Sequence, residues 1–264
     1  MARSSFRQAL HALKVLIVDD HEINREFLRI GLAPRVARVE TAADGVSAIE
    51  RCRNESFDVI LMDLHMPQMD GLATALRIRD LPGPSSRARM ILLTADARPE
   101  ERERLLADGF DAYLNKPLSI PELIEAVTGL FGPQQRPGGR RDGSLPRTTP
   151  LIDSERARGN ANDQETTAVR LGHMLGRELE ERLPELDRML AKGRMQEASA
   201  LLHQWTGAGG FVGAMQFSRA CRILRQRLIQ PDASSPGTAY AEFLRTAGAT
   251  RTALLAQIDG RSRG

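Results

Sequence analysis

The first half of the chain alternates short apolar runs with longer stretches of helical spacing. Residues 13–18 (LKVLIV) are an apolar run of strand length. Ile23, Phe27, Ile30 and Leu32 then recur near helical spacing over 21–32. Residues 36–40 read as a short strand, and Asp44-Gly45 turns into a helix through Arg53. Residues 59–62 (VILM) are apolar and run directly into Asp63. A helix over about 70–79, a strand over 88–93, a helix over 99–108 stopped by Gly109, a strand over 111–114 and a helix over 119–131 complete the series. Strands this short and apolar are expected to be buried on both faces. Five such units in this order predict a parallel sheet wound with helices on both sides.

After residue 131 the pattern changes. Residues 132–150 hold eight Gly or Pro and no apolar periodicity, so they read as a linker. A flexible chain of that length spans roughly 25 Å. Beyond it, strand signals vanish and helical spacing dominates. Helices are expected over 153–159, 163–191, 194–208, 214–229 and 238–258, with Pro184 bending or splitting the long second one. The natural reading is an all-α bundle. The boundaries that follow are a tail over 1–11, a first domain over 12–131, a linker over 132–150 and a helical domain over 151–260.

The polar residues at the strand ends carry the chemistry. Asp19 and Asp20 close the first strand, Asp63 the third and Thr94 the fourth, and Lys116 follows the fifth. Each has an ordinary structural role open to it, as a cap, a turn hydroxyl or a solvated charge. All five, however, fall on the C-terminal edge of one sheet, where open α/β sheets place their ligand sites. Three clustered carboxylates repel one another and call for a cation, and hard oxygens with room for water suit Mg²⁺. Asp63 is then a carboxylate nucleophile. The Lys116 ammonium neutralises an incoming phosphoryl group, and the Thr94 hydroxyl donates to one of its oxygens. The chain uses Arg almost everywhere, and Lys14, Lys116 and Lys192 are its only lysines. At position 116 a slim point charge fits where a planar guanidinium would not.

Composition narrows the class. At 264 residues and 41% hydrophobic, the chain can build two cored domains. No apolar run approaches the ~20 residues of a membrane span, and the first fourteen residues lack a signal-peptide core, so a cytoplasmic location is expected. Cys52 and Cys221 lie far apart on expected helices and read as small core hydrophobes. Residues 1–131 carry 17 basic and 20 acidic side chains, and residues 132–264 carry 20 and 14. The basic second half suits either nucleic acid or docking on an acidic protein partner. Nothing after residue 150 resembles a helix-turn-helix.

Taken together, DD at 19–20, DLHMPQMDG at 63–71, TA at 94–95 and KP at 116–117 resemble the response-regulator receiver family, in its order and at its spacing. The resemblance covers 12–131 and implies a flavodoxin-like, doubly wound five-stranded parallel sheet. It implies that Asp63 is the phospho-accepting aspartate. It implies that Asp20, Asp63 and the backbone carbonyl of His65 bind Mg²⁺, with Asp19 helping through water. It implies that Thr94 and Lys116 contact the phosphoryl group, and that Tyr113 is the aromatic that turns inward with Thr94 on activation.

In the helical half, LLHQWTGAGGFVGA at 201–214 stands out. At about 100° per residue, Ala198, Leu201, Leu202 and Trp205 share a face, and His203 falls on the opposite, outward side. Gly207 lies beside it at i+4, where it would leave clearance for another protein's active site. A neutral imidazole, with a pKa of about 6.5, is a competent phosphoryl acceptor, and an exposed, inert histidine is the plainer alternative. His203, Gly207, Gly213 and Ala214 resemble the signature of histidine-phosphotransfer domains, and LIDSERA at 151–157 resembles their opening segment. Thr206 departs from that family, which usually has lysine three residues after the histidine. The expectation is a two-domain phosphorelay protein without an ATP-binding kinase core. Its partners are a histidine kinase or hybrid kinase, and receiver or phosphotransfer domains of other relay proteins. The alternative is a receiver whose bundle only binds a partner.

Overall fold

Five strands run parallel in the computed structural model: β1 (Lys14–Val18), β2 (Arg38–Ala42), β3 (Val59–Asp63), β4 (Arg89–Thr94) and β5 (Ala112–Asn115), in the order β2-β1-β3-β4-β5. The structure describes residues 10–94, 108–116, 118–131, 150–160, 165–229 and 237–259. The chain divides into two compact units, Met1–Asp142 and Gly143–Gly264. In the first, every residue of β3 is buried, as its unbroken apolar sequence requires of a strand covered on both faces. α1 (Glu22–Leu32) packs with α4 (Ile120–Gly129), and α2 (Gly45–Asn54) with α3 (Gly71–Arg79). Asp44 caps α2 in a capping box with Ser47, Asp70 accepts from the Ala73 amide at 2.8 Å, and Ser119 forms a capping box with Glu122.

The doubly wound parallel sheet agrees with the sequence pattern, with one displacement. β2 begins at Arg38, two residues later than the apolar signal suggests. Val36 is buried in the preceding connection, and the ladder with β1 starts at the pair Lys14–Arg38. A half-buried edge strand has little apolar alternation of its own, so the buried Val36 just outside it is the stronger apolar signal. The helix expected over 99–108 lies almost wholly outside the described residues, as do Ala95, Pro117 and most of the linker.

The second unit is all helical where described: α5 (Ser154–Asn160), α6 (Glu165–Ala191), α7 (Met195–Phe211), α8 (Met215–Ile229) and α9 (Gly237–Asp259). α6 packs on α7, α7 on α8, α8 on α9 and α9 on α6, which closes a four-helix bundle with α5 against α6 and α7. Its centre is aromatic. Trp205 is fully buried and stacks on Phe243 with centroids 6.2 Å apart, and Phe217 lies 6.1 Å from each. Pro184 neither splits nor ends α6. It sits on the exposed side, where water can serve the carbonyl that loses its partner. Cys52 and Cys221 are free and buried, and burial, against a hydrogen bond from Ser85, pushes the Cys52 thiol up to about 11. No described helix is long and apolar enough to cross a membrane.

Candidate functional site

Sheet register alone brings four of the predicted residues to one edge. Val18 pairs with Met62, so Asp19 lies level with Asp63 at the break between β1 and β3, where the order of connections reverses. Thr94 pairs with Asn115, which places Lys116 one step beyond on the same edge. The Lys116 amide donates to the Thr94 carbonyl at 2.6 Å, tying the two chain ends together.

The Lys116 side chain is buried between two carboxylates. Nζ lies 2.7 Å from Asp19 Oδ2 and 2.8 Å from Asp63 Oδ2. Burial pulls the ammonium's pKa down, but Asp19 and Asp63 together outweigh it and hold Lys116 above its ordinary value. Asp63 is 1% exposed and Asp19 fully buried, so neither charge is solvated from outside. Lys116→Met would leave both carboxylates without that cation. It is expected to cost about 3–5 kcal/mol of stability in EDTA, with much of the loss recovered in Mg²⁺. Urea unfolding under the two conditions measures both effects, and parental stability in EDTA would refute the dependence.

The loop after β3 is shaped around Asp63. Its side chain faces the His65 amide, 3.5 Å from Oδ1, while the His65 side chain is exposed. Gln68 has φ +66°, and the Met69 amide donates to the Pro67 carbonyl at 2.7 Å, which makes a γ-turn. The turn returns the chain so that the Gly71 amide donates to the Leu64 carbonyl at 2.9 Å. A Cβ on Gly71 would come within 2.2 Å of the Asp63 carbonyl oxygen, so only glycine lets α3 start this close to the site.

Asp19, Asp20 and Asp63 each offer a carboxylate oxygen, and these oxygens lie within 4.8 Å of one another. Asp20 is half-buried and the other two are buried. Three hard oxygen donors this close fit Mg²⁺, which takes one or two carboxylates and keeps several waters. Tyr113 is partly buried on β5, against the core on one face of the sheet, and Thr94 is fully buried. One residue that the sequence pattern did not single out belongs here. Asn24 donates from Nδ2 to both oxygens of Asp19, at 3.1 and 3.3 Å. The available signal was a polar side chain inside the buried stripe of α1, with Phe27, Leu28 and Gly31.

His203 lies in the other unit, and its surroundings correct the expectation of an outward histidine. It is 4% exposed, and Thr206 and Gly207 are buried too. The Thr206 hydroxyl donates back to the Leu202 carbonyl at 2.8 Å. The helical wheel assumed one buried face. From Leu201 to Phe211, only Gln204 is not buried, because α5, α6 and α8 all pack on α7. A helix covered all round has no outward side to predict. α7 also runs on through Gly209 and Gly210 to Phe211, three residues past the predicted end. Gly209 faces Phe217 and Ser218 of α8 so closely that a Cβ there would lie 2.9 and 2.7 Å from them.

Residues 15–128 match the family model described as the response regulator receiver domain. Sensor histidine kinase AruS of Pseudomonas aeruginosa is 34% identical over 202 residues, 76% of this chain and 19% of that protein. Signal transduction histidine-protein kinase BarA of Escherichia coli is 28% identical over 228 residues, 82% of this chain and 24% of that one. The chain thus spans a quarter or less of the length of these curated relatives. Among solved structures, the receiver domain of sensor histidine kinase PA1611 from Pseudomonas aeruginosa has a magnesium ion coordinated in its active site cleft. It is 31% identical, covers 45% of this chain and 95% of that one, and has a TM-score of 0.40.

Proposed function

We propose, taking residues 15–128 as the response regulator receiver domain they match, that this chain is a two-component phosphorelay protein. Asp63 accepts the phosphoryl group of a phosphohistidine on a histidine kinase or hybrid kinase. The observation that carries this reading is the buried Asp63 carboxylate, ion-paired to Lys116 at 2.8 Å and close to two further carboxylates. An Asp63 oxygen attacks phosphorus, the P–N bond of the donor breaks, and the donor imidazole leaves and takes a proton. Lys116 exchanges its contact with Asp63 for a phosphoryl oxygen, and the Thr94 hydroxyl donates to another. Asp20, Asp63 and the His65 carbonyl would hold Mg²⁺, with Asp19 behind them through water. Mg²⁺ bound there neutralises charge on the transferred group. Tyr113 follows Thr94 inward as the switch. On this reading the receiver spans 12–131, the linker 132–150 and the bundle 151–260. The protein works in the cytoplasm, with relay proteins and not nucleic acid as its partners, and without catalysing phosphoryl transfer from ATP.

For the second unit, we propose exchange of the phosphoryl group between His203 and a receiver aspartate. Alignment with AruS over 202 residues supports a relation that extends past the 114 residues of 15–128. A second reading, in which the bundle is a binding module that transfers nothing, is favoured by the burial of His203 and the internal bond of Thr206. A phosphotransfer time course separates them. Parent, Asp63→Asn and His203→Gln chains are each offered a phosphorylated receiver. Transfer through His203 gives acid-labile label that persists in Asp63→Asn and disappears in His203→Gln. Label that is identical in parent and His203→Gln leaves only the binding module.

A further inference from the structure

We propose that Asn24 is a positioning residue for the magnesium site, acting through Asp19. This rests on the magnesium reading above. Asn24 is 1% exposed, in the helix stripe that packs on the sheet. Its Oδ1 is buried with no hydrogen-bond partner among the described residues. An orphaned buried acceptor is a standing cost that an apolar residue would avoid. What the amide supplies is its NH₂, which bridges both oxygens of Asp19.

The remaining contacts explain why that bridge matters. Asp19 Oδ1 also accepts from the His21 amide at 2.9 Å, and Oδ2 from Lys116 at 2.7 Å. The Arg25 guanidinium donates to the Asp19 backbone carbonyl at 2.6 Å, fixing the main chain beneath it. A carboxylate has about four acceptor directions, and these donors occupy them. Asp19 is therefore an anchored charge, and the buried Asp63 and half-buried Asp20 carry the oxygens for direct ligation. Without Asn24, Lys116 is the one side-chain donor left on Asp19 among the described residues. Asp19 would then turn toward Lys116 and draw it from Asp63, distorting the three-carboxylate arrangement. An amide does this work without charge: Lys or Arg at 24 would repel the metal, and Asp would add a fourth carboxylate.

The test is Mg²⁺ titration calorimetry on the full chain, with a thermal melt in EDTA for each variant. Asn24→Ala is expected to weaken Mg²⁺ binding roughly tenfold, the lower end of what loss of an outer-shell hydrogen bond costs a metal site. The same substitution in an Asp19→Asn background should change affinity little, because the group it acts through is already altered. Should Asn24→Ala fail to fold, Asn24→Ser, too short to bridge both oxygens, takes its place with the same expectation. Unchanged affinity in the single variant, or an equal loss in both backgrounds, overturns the positioning role while leaving the metal site intact. A parent chain that binds no Mg²⁺ overturns the metal reading, and the proposal with it.

Discussion

Incubated with acetyl phosphate and Mg²⁺, the Asp63→Asn chain is expected to take up no acid-stable, alkali-labile phosphoryl group, while the parent is labelled within the first unit. An amide oxygen at this position is neutral and a poor nucleophile, and no other carboxylate can take its place. Asp19 is saturated by His21, Asn24 and Lys116, and Asp20 does not end β3. The substitution has a second consequence, in stability. A ligand that binds only the folded state at a hundredfold excess over its Kd stabilises by about 2.7 kcal/mol. Mg²⁺ should raise the melting temperature of the parent accordingly and that of Asp63→Asn far less. In EDTA the order narrows or reverses, because one of two buried carboxylates sharing Lys116 has been removed. Label retained on residues 12–131 of the variant would refute Asp63 as the acceptor.

Gly213→Ala is expected to destabilise the second unit by about 3 kcal/mol. The position is left-handed, with φ +76°, which costs roughly 1–2 kcal/mol for any residue with a Cβ. That Cβ would also lie 2.3 Å from the Asp153 carbonyl oxygen and 3.1 Å from its carbon. These are backbone atoms and cannot rotate away. They belong to the segment that caps α5, where the Asp153 carboxylate accepts from the Arg156 amide and the Asp153 amide donates to the Gly213 carbonyl at 3.0 Å. The substitution therefore loosens α5 from the α7–α8 turn as well as straining the turn. Gly159→Ala is the matched control. Its Cβ meets nothing within 4 Å, and in a helix it should add up to about 1 kcal/mol. Urea unfolding of the three chains should give shifts of opposite sign; shifts of the same sign would contradict the packing described.

Sequence legibility differed between the two units for a physical reason. In the first, strands buried on both faces are written as unbroken apolar runs, so a carboxylate at the end of one run is conspicuous. Asp19, Asp63 and Thr94 were placed by that contrast, and parallel register then brought them together. Asn24 escaped because a single amide in an apolar helix stripe looks like noise until its partner across the fold is known. In the second unit the contrast fails. In α7 the exposed polar positions, Gln196 and Glu197, lie in the first turn, and from Leu201 to Phe211 only Gln204 is not buried, so the wheel that put His203 outward had little polar face to calibrate against. Gly207, which suggested clearance for a visiting protein, is itself buried, and it is Gly209 that lets α8 come close. Gly213, noticed only as part of a signature, turns out to hold the chain of α5.

Trp205 gives the molecule an optical label of its own. It is the only tryptophan in the chain, fully buried, stacked on Phe243, with its indole N–H donating to Glu178 Oε1 at 3.0 Å. It also stands two residues from His203. Indole emission excited at the red edge therefore comes from the helical unit alone, and an unfolding curve followed this way is a curve for that unit, while circular dichroism sums both. The difference between the two traces isolates the first unit without cutting the chain. A phosphoryl group arriving at His203 would place a dianion within one helical turn of the indole, so the same emission is a continuous assay for whether the histidine is ever modified.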